Sequence, residues 1–174
     1  MCASLPVRRP RESAIRIANS RGDAQLPHAP RNEGDPMSQK RSAEVMRTYL
    51  EEVVGKRRYE LIPQLAAEDM IDHTQPVKGR QGLVNHVTNF HKTFPDVTIE
   101  VKRIIASDDE VMGLWRLKGT HSQELFGVPA TGKTLEFDVA SIFRLRDGLL
   151  VDYTLVAGGL EAAIQMGIPL VPKK

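Results

Sequence analysis

Residues 134–157 read TLEFDVASIFRLRDGLLVDYTLVA, and no other stretch constrains the architecture as tightly. Asp147-Gly148 is a two-residue hairpin signal, because both central positions of such a turn need positive φ. It predicts a long strand over 134–146 paired antiparallel with a strand over 149–157. Alternation then sorts the side chains. Phe137, Val139, Ser141, Phe143 and Leu145 share one face of the first strand, while Asp138, Ala140, Ile142 and Arg144 share the other. On the second strand Val151, Tyr153 and Leu155 share a face. The mostly apolar row, with Ser141 in it, predicts the inward side. Upstream, residues 97–106 (VTIEVKRIIA) and 110–121 (EVMGLWRLKGTH) read as two further strands about an Asp108-Asp109 turn, with Trp115, Leu117, Gly119 and His121 on one face.

The first half of the chain changes period. Val45, Met46, Tyr49, Leu50, Val53 and Val54 recur at helical spacing, which predicts a helix capped by Ser38 or Ser42 and ended by Gly55. A short helix over 59–67, with Pro63 in its first turn, precedes a loop over 70–78 (MIDHTQPVK). A third helix spans 80–93 with Leu83, Val84, Val87 and Phe90 on one face, and Phe94-Pro95-Asp96 stops it. A last helix runs from Leu160 to Met166 and ends at Gly167. Helices first and antiparallel strands last predict an α+β fold, with helices laid on one face of a curved sheet. A pocket between the two layers is the default ligand site.

Composition narrows the function classes. The chain has 174 residues, enough for one ordinary domain. Residues 37–174 hold 18 Lys+Arg and 18 Asp+Glu, so the basic excess belongs to residues 1–36 and the body offers no nucleic-acid or anionic-membrane surface. No stretch approaches 18 apolar residues, which excludes an apolar helical span. The single cysteine, Cys2, excludes an internal disulfide and any zinc site built on several cysteines. Residues 1–36 carry five of the eleven prolines and no sustained period, so they read as a disordered extension before a domain over 37–174, with Met37 as a second start. Arg8-Arg9 has no apolar segment after it to complete an export signal, and the expected compartment is cytoplasmic.

Several short motifs occur together and in order: Asp72-His73-Thr74, Gly79-Arg80, Phe94-Pro95-Asp96, Gly119-Thr120-His121, GVPATGK over 127–133, and Phe143-Arg144 followed by Asp147-Gly148. In this set the chain resembles the SnoaL-like polyketide cyclase or ester cyclase family over about residues 40–168. The resemblance implies a cone-shaped α+β barrel of the nuclear transport factor 2-like (cystatin-like) type, a curved antiparallel or mixed sheet wrapped on N-terminal helices. It also implies an apolar cavity for a small hydrophobic molecule, a homodimer, and no metal or organic cofactor. Some relatives close polyketide rings by aldol chemistry, and others on the fold isomerise, dehydrate or open epoxides, so the fold leaves the reaction open. The resemblance further implies an acid/base aspartate on the last strand beside a histidine on the strand before it. Aligned on Asp147-Gly148, those positions fall on Leu155 and Ser141, and a leucine cannot carry a proton. Two readings stand side by side: an acid/base enzyme using other groups, and a binding protein that keeps only the cavity.

If there is chemistry, it is proton transfer on a small apolar carbonyl compound. Histidine, with an ordinary pKa of about 6.5, can act as base near neutrality. The catalytic candidates are His121 or His73 as base, with Tyr153 as donor. Trp115, Ser141, Phe143, His86 and Leu155 are the substrate-binding candidates. Each has a plainer role: Trp115 as wall, His121 as a loop anchor, His73 as a loop cap, His86 as a half-buried helix residue. His91 lies off the apolar stripe of its helix and is expected in solvent. His86 and His91 are five apart and share no helical face well, so no metal site is predicted. Ser141 has no evident base and is not read as a nucleophile. Asp138 and Asp152 are expected to face outward, away from any epoxide-opening role.

Overall fold

A computed structural model describes residues 35–169. Apart from Asp35 and Pro36, the predicted extension lies outside the described residues. Helix α1 (Pro36–Thr48) starts one residue before Met37: the Asp35 side chain accepts from the Met37 N–H at 3.0 Å and Pro36 sits at the first helical position. Ser38 and Ser42 are therefore not its caps. Both hydroxyls donate to the Asp108 carbonyl, at 3.1 and 3.0 Å, and pin the helix to a distant turn. The helix continues as a π-helical segment, Tyr49–Val54, closed by Gly55 N–H to Leu50 O at 2.8 Å. Gly55 stays right-handed, and the chain turns left-handed only at Arg57, with φ of 62°. The expected stripe is buried at Met46, Tyr49, Leu50, Val53 and Val54.

The next stretch departs from expectation. A single 3₁₀ turn (Tyr59–Leu61) and α2 (Ile62–Leu65) replace the longer helix, and Ala66–Asp72 forms strand β1 where helix and loop were predicted. AAEDMID has little intrinsic strand character. It is held extended by parallel pairing with the last strand (Ala66 with Leu150, Asp72 with Tyr153), a non-local partner that no local pattern announces. Helix α3 (Arg80–Thr93) matches its predicted span. His91 does not match: it is buried, its Nδ1 lies 2.7 Å from the Tyr59 hydroxyl, and its Nε2 is 2.7 Å from the Val54 carbonyl. Polar partners on two neighbouring segments hold it inside, and burial pushes its pKa down.

Strands β2 (Thr98–Ala106), β3 (Glu110–Thr120), β4 (Thr134–Arg146) and β5 (Leu149–Ala157) form the predicted antiparallel run. With β1 the five-stranded sheet is mixed, in the order β1-β5-β4-β3-β2. It curls without closing, because β1 and β2 remain as edges. Register shifts interrupt the ladders between Val101 and Arg103 and between Arg144 and Leu145. Asp147 and Gly148 both have positive φ, 56° and 77°, as a tight hairpin requires. Gly113 on β3 lets α1 approach: a Cβ there would lie 2.8 Å from both Leu50 Cδ1 and Met46 Sδ. Helix α4 (Gly159–Met166) packs on β4 and ends at left-handed Gly167. At the core, Tyr49, Phe143 and Tyr153 meet edge to face, with ring centroids 5.0 to 5.8 Å apart.

Candidate functional site

Between α3 and the inner face of the sheet lies a cavity of about 330 Å³. Phe90, Phe94, Trp115, Phe137, Leu117 and Leu155 make most of its wall. The lining residues with polar side-chain atoms are Thr74, Gln75, His86, Asn89, Thr93, Tyr49 and Tyr153. No Asp, Glu, Lys or Arg lines it among the described residues. Leu125 and Phe126 reach it from a tight turn at the mouth, bridged Leu125 to Val128, with Phe126 in the left-handed region at φ of 53°.

One buried carboxylate stands directly behind this wall. Asp72, the last residue of β1, is in register with Tyr153 and points inward. Its Oδ1 accepts from the Thr74 N–H at 2.9 Å and from the Thr74 hydroxyl at 2.6 Å. Its Oδ2 lies 2.8 Å from His86 Nδ1. The Thr74 hydroxyl spends its one proton on Asp72, so its oxygen, 2.8 Å from the same Nδ1, is an acceptor there. Both neighbours of Nδ1 are thus acceptors, which places the imidazole proton on Nδ1. Nε2 has no hydrogen-bond partner among the described residues. The ring stacks on Tyr153 at 5.2 Å with 23° between planes. Burial alone would raise the Asp72 pKa; the hydrogen bond and charge of His86, with the two Thr74 bonds, outweigh it and hold it below the usual carboxylate range.

Next to Tyr153, Trp115 Nε1 donates to Ser141 Oγ at 3.1 Å, and Ser141 Oγ lies 3.3 Å from the Tyr153 hydroxyl. Burial pushes the Tyr49 and Tyr153 pKa values up, so both phenols stay protonated at neutral pH. An imidazole oriented by a buried carboxylate and lining a mostly apolar hollow, with a phenol beside it, has the groups needed to move a proton on a bound molecule.

Of the sequence candidates, the cavity brings together Trp115, Tyr153, His86 and Leu155. Ser141 and Phe143 are buried behind its wall rather than in it. Leu155 and Ser141 are direct cross-strand partners, as the two motif positions should be. His73 stands apart: it is half exposed just past the end of β1, where its Nε2 lies 2.9 Å from Asp152. His121 is buried outside the lining, accepting at Nδ1 from the Thr131 N–H at 3.3 Å, with an unpaired Nε2. It anchors the loop over 122–133. The other motifs also hold the frame: Asp96 accepts from the Thr120 N–H and hydroxyl, both at 2.7 Å, tying the end of α3 to the end of β3. Asp138 faces outward and pairs with Arg116 and Lys102, which hold its pKa down at about 2. Asp72 was missed as a site residue. Its signal was Asp72-His73-Thr74 itself, an aspartate two residues before a hydroxyl, the pattern of a side-chain turn. Among the described residues no three His, Cys, Asp or Glu side chains cluster closely enough to hold a metal ion.

Comparison with known proteins agrees with this frame. The family model for SnoaL-like polyketide cyclase matches residues 43–166. The chain belongs to that family. No curated protein matches it. Among solved structures it is similar to TsrD from Streptomyces laurentii, at 18% identity and a TM-score of 0.66, over 78% of this chain and 98% of that one. It is also similar to a SnoaL-like polyketide cyclase from Agrobacterium tumefaciens, at 12% identity and a TM-score of 0.65, over 72% and 98%. A third is IdmH from Streptomyces antibioticus, at 25% identity and a TM-score of 0.59, over 73% and 99%. These likenesses define the fold, a curled α+β sheet of the nuclear transport factor 2-like type, and leave the reaction open.

Proposed function

We propose that the chain binds a small, neutral, apolar carbonyl compound in the α3–sheet cavity and moves a proton on it, with His86 Nε2 as the base. The observation that supports this is the Asp72–Thr74–His86 arrangement, which holds Nδ1 of a cavity-lining imidazole and leaves Nε2 without a hydrogen-bond partner among the described residues. The lining, free of formal charge apart from any on His86, favours a neutral ligand, and the aromatic walls favour a flat one. Tyr153 is the companion donor. His73 and His121 fit supporting roles better, since neither lines the cavity. Abstraction of a proton beside a carbonyl is the first step of aldol cyclisation and of isomerisation alike, so one site serves either outcome. Two copies pairing through the outer sheet face complete the proposal.

The test is α-proton exchange of 2-tetralone in deuterated buffer, followed by NMR. The wild-type chain should accelerate exchange, and His86→Ala should reduce the acceleration by about 10²- to 10⁴-fold, the span of a positioned acid/base group. Bound tetralone with exchange no faster than in buffer would favour the second reading, a non-catalytic carrier. Leu155 supports that alternative, standing across from Ser141 where the family resemblance expects a carboxylate.

A further inference from the structure

Two turns in this fold share a backbone conformation and differ in their residues. At the β4–β5 hairpin, Asp147 and Gly148 have φ of 56° and 77°. At the tip of the segment 122–133, Phe126 and Gly127 have φ of 53° and 79°. That tip is closed by two bonds, Leu125 N–H to Val128 O at 3.0 Å and Val128 N–H to Leu125 O at 2.9 Å. Positive φ at both central positions favours Asn, Asp or Gly in the first of them. Asp147 satisfies that preference. Phe126 does not, and a bulky side chain in the left-handed region carries a conformational cost. Burial of the ring in the fold does not offset this cost: Leu125 and Val128 pack against the core, whereas Phe126 is 62% exposed. The base of the segment is fixed independently of its tip. His121 N–H donates to Lys133 O at 2.9 Å, Gly132 N–H to His121 O at 3.0 Å, and Ser122 N–H to Thr93 O at 2.8 Å. From this pinned segment, Leu125 and Phe126 reach the cavity lining.

We propose that Phe126 is a specificity residue whose ring forms the outer wall for a flat, apolar ligand, and that its strained turn is kept for that contact. This rests on the cavity being the ligand site. With the cavity filled, the ligand covers apolar ring surface that faces water in the empty protein, and that burial favours binding. Offset or edge-to-face contact between the ring and a second ring adds to the area effect, so an aromatic or conjugated ligand is favoured over a saturated one of similar size. Phe126 selects and holds the ligand; the proton transfer proposed above stays with His86. The comparison with Asp147 explains why a residue so poorly suited to the turn stands there. Where the turn serves only the fold, its first position holds a residue that the conformation favours. At the cavity mouth it holds a large aromatic ring instead, at a cost in stability that function can explain.

The test reads stability and binding on the same variants. Phe126→Asn gives the turn its favoured Asn-Gly sequence. The ligand-free variant should unfold at a thermal midpoint about 2 °C or more above wild type. Its affinity for N-phenyl-1-naphthylamine, a neutral aromatic probe followed by its fluorescence, should fall about fivefold or more. Phe126→Tyr keeps the ring and the strain, and should keep the wild-type midpoint and affinity. Unchanged affinity in Phe126→Asn overturns the ring as a ligand wall and leaves the cavity standing. A midpoint at or below wild type in Phe126→Asn overturns the exchange of stability for binding. Equal loss of affinity in Phe126→Asn and Phe126→Tyr overturns the ring as its cause. A wild-type chain that does not bind the probe overturns the cavity as ligand site, and the role of Phe126 with it.

Discussion

Asp72 is useful to the fold and to the site for the same reason: it is a buried carboxylate whose oxygens are all occupied. Its depressed pKa has a consequence for stability. The unfolded carboxyl titrates near about 3.9. Because the native value is lower, the stabilisation is fully present above that pH and is lost as the pH falls through the native value. Asp72→Asn should therefore show a flatter dependence of stability on pH below about 4 than wild type, measured by urea unfolding at a series of pH values. A slope equal to that of wild type would mean that Asp72 titrates alike in both states. The same residue also marks a limit of sequence reading. Asp72 and His86 are fourteen positions apart on different elements, and only the placement of β1 against α3 brings Oδ2 to Nδ1.

Elements differ in how much of their structure is local. The β4–β5 hairpin was legible because Asp147-Gly148 dictates its own turn and the flanking alternation sets the register. Parity then placed Ser141, Tyr153 and Trp115 on the inward face correctly. Strand β1 was not legible, because its extended state comes from a parallel partner some eighty residues downstream. His91 was misplaced for a related reason. Helical spacing put it off the apolar stripe, but Tyr59 and Val54 supply partners that let a polar ring be buried there. Gly113 shows how closely two elements meet. Gly113→Ala would drive a methyl group into Leu50 and Met46, and overpacking of this kind costs about 1–3 kcal/mol. A thermal unfolding midpoint lowered by several degrees is the expected outcome; an unchanged midpoint would mean that α1 can shift to make room.

At the scale of the whole molecule, the outer sheet face holds the proposed contact between copies. Ile105, Met112, Ile142 and Thr154 stand in register across four strands, and Ala140 pairs with Val156 beside them. Ile105, Ile142 and Val156 are exposed, an apolar row between the charged groups around Arg116 and Arg144. Ile142→Glu should convert a dimer to a monomer in sedimentation velocity, raising the dissociation constant more than tenfold while leaving tetralone exchange in place. A wild-type monomer at all accessible concentrations would remove this part of the proposal.

The amino-acid sequence alone determined the α+β class, the four-strand antiparallel run, the long helices and which strand faces turn inward, because turns and periodicities are properties of neighbouring residues. Only the tertiary structure decided that Ala66–Asp72 joins the sheet, that His86 rather than His73 or His121 meets the cavity, and that Ser141 lies between Trp115 and Tyr153. Those outcomes depend on distances between residues far apart in the chain, and such distances are set by the packing of whole layers against one another.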